Sequence, residues 1–90
     1  MANEKVQNKI KRLLDPKLYS SEKSYYLTEY ASSHYFLILD RECPLGVAQY
    51  YVDLNKKVHY HNFIPIQGTA SPRLINALAS VEELIRKEEE

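Results

Sequence analysis

Three observations predict an α+β fold with a helix at each end of a four-stranded antiparallel meander sheet. An apolar stripe at helical spacing opens the chain. A second such stripe closes it. Between them lie four short runs rich in tyrosine, valine, isoleucine and leucine, separated by turn-forming residues. Ninety residues suit one domain, taken as 1–90.

The first helix is expected over Asn3–Leu14. Val6, Ile10, Leu13 and Leu14 stand at i, i+4, i+7 and i+8, which aligns them on one face. Pro16 disfavours helical geometry at Asp15 and so ends the helix there. Lys17–Lys23 is a polar connector.

The strands are expected at about Tyr25–Tyr30, His34–Asp40, Val47–Asp53 and Val58–Ile64. Turns are expected at Ala31–Ser33, Arg41–Gly46 and Leu54–Lys57. Pro65 lacks a backbone donor where the fourth strand should stop. Short connections make sequential strands antiparallel neighbours.

The last helix opens at Ser71-Pro72, a capping serine followed by a proline at the first helical position. Leu74, Leu78, Val81 and Ile85 repeat on one face and are expected to pack on the sheet. The tail Arg86-Lys87-Glu88-Glu89-Glu90 sets three acids at the negative end of the helix dipole and is expected to fray.

Face assignment rests on alternation. A turn centred on Asn55-Lys56 would pair Tyr51 with Tyr60 and Tyr50 with His61. Ala48, Tyr50, Val52, His59, His61 and Phe63 would then share the helix-covered face. In the second strand, Tyr35, Leu37 and Leu39 alternate with Phe36 and Ile38, so both faces are apolar. Taking Leu37 and Leu39 as core leaves Phe36, Ile38, Tyr51 and Tyr60 on the opposite side. These four are the expected partner-binding residues, since an uncovered apolar patch on a small chain suggests a docking surface. Eight tyrosines beside two phenylalanines and no tryptophan fit such a surface.

Composition narrows the function further. Twelve basic and twelve acidic residues give no net charge, which argues against a duplex nucleic-acid partner. No run approaches 18 apolar residues, and the first 30 contain no signal-like apolar region, so no membrane segment is expected. The single cysteine, Cys43, cannot bridge internally and fits a reducing, cytoplasmic setting. Two isolated glycines, Gly46 and Gly68, make no phosphate-binding loop, and no nucleophile–base signature accompanies Cys43. Neither catalysis nor a cofactor is expected.

The resulting expectation is a small non-catalytic interaction module (regulator, inhibitor or adaptor). Its partner would be another protein or a second copy of the chain. The alternative is a small-ligand or metal sensor built on His59, His61 and Tyr50, because His59 and His61 stand at i, i+2 on one strand. Two histidines do not complete a metal site, and no metal is expected.

Overall fold

The computed structural model describes residues 2–89. Helix α1 spans Ala2–Leu14 and is followed by a 3-10 turn at Asp15–Lys17. Strands β1 (Glu22–Tyr30), β2 (Ser33–Asp40), β3 (Cys43–Val52) and β4 (Val58–Pro65) form one antiparallel sheet in the order β1-β2-β3-β4. Helix α2 spans Pro72–Glu88. The expected element order and meander topology are observed.

Helix α2 begins as its sequence requires. The Ser71 hydroxyl accepts from the Leu74 amide at 3.1 Å, and Pro72 occupies the first turn. Leu74, Leu78, Val81 and Ile85 are all buried. Burial of each such side chain is worth about 1.5–3 kcal/mol relative to exposure. Ile10 and Leu14 of α1 join the same core cluster. The two helices pack against each other, α1 also meeting β1 and α2 meeting β4. Both therefore cover the same face of the sheet.

Helix α2 runs to Glu88, through most of the segment expected to fray. Glu88 accepts a two-pronged hydrogen bond from Arg12 at 2.8 and 2.9 Å. Glu89 lies 3.5 Å from both Lys9 and Lys57. Cations from α1 and from the β3–β4 connection thus offset the crowding of acids. Glu90 lies outside the described residues.

The strands are longer than expected, because two turns are tighter. Ala31-Ser32 and Arg41-Glu42 each form a two-residue hairpin with both residues at positive φ. Such turns match the twist of the flanking strands but usually use Asn and Gly. Strand β3 consequently starts at Cys43 rather than Val47 and includes Pro44.

Each strand pairing contains one irregularity. Tyr26 pairs with Phe36 but Thr28 with Tyr35, leaving Leu27 as an extra residue. Ile38 pairs with Gly46 but Leu39 with Pro44, leaving Leu45 extra. Gln49 pairs with Asn62 but Tyr50 with Tyr60, leaving His61 extra. These are β-bulges, and each shifts the alternation of its strand by one residue.

The bulges correct two expectations. Without Leu45 as an extra residue, the Arg41-Glu42 turn would set Tyr35 opposite Ala48. With it, Phe36 faces Ala48 and His34 faces Tyr50. Phe36 and Ile38 are therefore core residues, each 0% exposed, while Leu37 and Leu39 point to the other side and are half-buried. At β4, the extra His61 sets Tyr60 opposite Tyr50 and His59 opposite Tyr51. Val58, Tyr60 and Phe63 thus face the helices, and His59 does not. The β3 assignment holds: Ala48 and Tyr50 are fully buried.

Several polar groups in and beside the core are partnered. The Tyr50 hydroxyl donates to the Leu78 carbonyl at 2.7 Å, and burial pushes its pKa upward. Ser24 donates to Asp15 at 2.7 Å, and Lys11 donates to the Ser24 carbonyl at 2.6 Å. Glu22, at the start of β1, pairs with Arg73 of α2 and accepts from the Tyr19 amide at 2.8 Å.

Candidate interaction surface

The side of the sheet away from the helices is built by the other half of each strand. Register places its residues in cross-strand rows. The central row is Tyr25–Leu37–Val47–Ile64. Beside it runs Thr28–Tyr35–Gln49–Asn62, and beyond that Tyr30–Ser33–Tyr51–His59. On the other flank lies Lys23–Leu39–Pro44.

The central row is apolar and uncovered. Tyr25 is 48% and Ile64 47% exposed, while Leu37 and Val47 are half-buried by their strand neighbours. The second row is polar but internally ordered. Gln49 donates through Nε2 to the Ser33 hydroxyl at 3.2 Å and to the Tyr35 hydroxyl at 3.3 Å. Lys23 is the one lysine, arginine or carboxylate in these four rows. The face thus combines an apolar strip with neutral hydrogen-bonding groups.

An aromatic cluster closes the β4 edge. Tyr51 stacks on His59 with ring centroids 4.9 Å apart and planes at 23°, and meets His61 edge-on at 5.6 Å. His59 is held in place from two sides: its Nε2 is 2.7 Å from Asp53 and its Nδ1 is 3.5 Å from Glu82. The hydrogen bond to Asp53 is the main influence raising the His59 pKa, opposed by burial and assisted by Glu82. Bonding to His59, and then to the Lys57 amide, holds the Asp53 carboxyl below the usual carboxylate range. Asp53 also accepts from the Asn55 amide at 2.8 Å, so it organises the whole β3–β4 turn. Glu82 further accepts from the Tyr60 amide at 2.9 Å, satisfying an outward donor on the edge strand.

The expected binding residues separate across the sheet. Tyr51 is on the open face, 36% exposed. Phe36 and Ile38 are in the core, and Tyr60 is half-buried with its ring 5.7 Å from that of Tyr50. The four do not form one surface. The rows that do form it include Val47, which alternation along β3 already assigns to this face, and Leu37, Tyr25, Tyr35 and Ile64, which alternation assigns to the core or leaves open. For Leu37 and Tyr35 the sequence signal is that β2 is apolar on both faces.

The alternative constellation also separates. Tyr50 is buried under the helices, whereas His59 and His61 flank Tyr51 on the other side of the sheet. No group of three or more His, Cys, Asp or Glu among the described residues could hold a metal ion. Cys43 is exposed where β3 begins. No described helix is long and apolar enough to cross a membrane. Compared with known protein families, curated proteins and solved structures, the chain has no significant match.

Proposed function

We propose that this chain is a small non-catalytic interaction module, acting as a regulator, inhibitor or adaptor, that docks a protein partner on its open sheet face. The observation that carries this reading is the uncovered central row, Tyr25–Leu37–Val47–Ile64, in the middle of a sheet whose other face holds both helices. Four strands about 4.8 Å apart, each contributing about eight residues at roughly 3.3 Å, present on the order of 500 Å². Burying that area on both sides reaches roughly the 1,000 Å² that a specific interface needs. The scarcity of charge on the face suits a flat, neutral, apolar partner surface, and tyrosines at its rim supply contact area at low entropic cost. The lone cysteine supports a cytoplasmic setting.

The test places a photo-crosslinking amino acid at Tyr25 or Tyr35 in the native cell, with Lys17 on the opposite side as control. Crosslinks to one defined protein, or to a second copy of the chain, are expected from the sheet positions only. They should vanish in Leu37→Glu while circular dichroism stays unchanged. Equal crosslinking from Lys17, or persistence in folded Leu37→Glu, would remove the basis for the reading.

A further inference from the structure

A cleft of about 510 Å³ lies on the helix-covered side, where the first turns of α1 overhang the sheet. Its walls include Lys5, Val6 and Lys9 of α1, His34 of β2, Val52 of β3 and Lys56 of the β3–β4 turn. Glu29 and Ser32 complete the rim. The volume is in the range of small-molecule sites, which are typically apolar with a few placed polar groups.

Two independent features mark it as more than a gap between elements. The first is charge. Three lysines surround it against one acid, in a chain with no net charge. Lys9 is drawn 3.5 Å from Glu89, whereas Lys5 and Lys56 have no ion-pair partner among the described residues.

The second is His34, which is only 2% exposed yet lines the cleft. Its Nδ1 is 3.3 Å from the Tyr26 hydroxyl. Burial lowers its pKa, against a smaller opposing influence from Glu29, and so favours the neutral ring. When Nδ1 accepts from the phenol, the proton resides on Nε2. A mostly buried imidazole beside apolar walls and two ammonium groups that have no ion-pair partner among the described residues is a recognition pattern for an anion carried on an apolar body.

We propose that this cleft binds a small amphipathic carboxylate, with the carboxylate between Lys5, Lys56 and His34 and the apolar body along Val6 and Val52. The site is across the sheet from the interaction surface and stands whether or not that surface docks a protein.

The probe is decanoate, followed by titration calorimetry and by nitrogen-15 spectra of the histidine side chains. Saturable one-to-one binding is expected, with His34 moving and His59 and His61 unmoved. The double variant Lys5→Gln/Lys56→Gln changes two exposed side chains, so it should fold normally and bind about tenfold or more weakly. Inorganic phosphate, which has no apolar body, should not saturate. Non-saturating decanoate, binding that the double variant leaves unchanged, or amide shifts confined to Leu37 and Val47 would each overturn the proposal. So would saturable phosphate that decanoate cannot displace.

Discussion

The two faces of the β2 strand contain side chains of nearly the same apolar character and meet opposite fates. Phe36 and Ile38 are sealed under two helices, while Leu37 and Leu39 stand one residue away on a face that no other element among the described residues covers. Hydrophobicity therefore does not decide which set is core. Register decides it, and register here depends on one extra residue, Leu45. The same is true at β4, where His61 moves Tyr60 inward and His59 outward. An apolar side chain retained on the exposed side costs solubility and returns little stability, which is why the open face reads as a surface kept for contact.

The comparison is broken most severely by truncating both sides of β2. Phe36→Ala should cost about 3–5 kcal/mol in denaturant unfolding, since the cavity would lie in a closed core. Leu37→Ala should cost about 1 kcal/mol or less, because its neighbours already leave it half in water. Equal losses would mean that the two faces are not energetically distinct.

A smaller but more local effect is expected at Gly46. A methyl group there would collide with the Phe63 ring and the Ile64 carbonyl. Gly46→Ala should destabilise by about 1–3 kcal/mol, the usual cost of overpacking. A melting temperature unchanged from the parent would show that β3 and β4 approach less closely than described.

The turns should respond in the opposite direction. Arg41 and Glu42 both hold positive φ, a conformation that favours Asn and Gly. Replacing the pair by Asn-Gly should stabilise the chain by up to about 1 kcal/mol while preserving the register that buries Phe36. A loss of stability would argue that these side chains contribute more than their backbone strain costs.

The smallest effect concerns pH at the edge of the open face. The His59 pKa is raised in the folded state, so its contribution is complete below about pH 6.5 and is lost as pH rises through the folded value. Asp53 is shifted downward, so its contribution is present above about pH 3.9 and is lost as pH falls through its folded value. The contribution of this pair should therefore be greatest between those limits, while buried His34, whose pKa is lowered, acts in the opposite sense below about pH 6.5. His59→Gln should flatten the alkaline-side decline, as measured by urea titrations across pH 5–9. An unchanged slope would assign that decline to other groups.

Much of the architecture is legible in the sequence because periodicity reports it directly. The Leu74–Leu78–Val81–Ile85 stripe, the Ser71 cap and the inward set Ala48–Tyr50–Val52 follow from spacing alone. The open face is not legible in the same way. Residues 35–39 are all apolar, so alternation offers no preference between the two sides. Bulges at Leu27, Leu45 and His61 have no residue signature, and Ala31-Ser32 and Arg41-Glu42 form tight turns without the usual Asn or Gly. The Glu22–Arg73 pair lies outside the expected first strand, which starts three residues after the observed one. His34 is polar in a buried row, and only three dimensions show that it borders a cleft.

The contact between α1 and α2 has a consequence for the order of events during synthesis. Arg12 and Glu88 are 76 positions apart, yet they are bonded, and the buried faces of Ile10 and Leu14 join a cluster that includes α2. The three hairpins need only neighbouring residues, so their closure is cheap in entropy. Helix α1, made before α2, must instead wait for α2 before its apolar stripe is fully buried. Throughout that interval the emerging chain presents greasy surface on both sides of a half-built sheet. Its vulnerability to misassembly is therefore set by elongation time rather than by the stability of the finished fold.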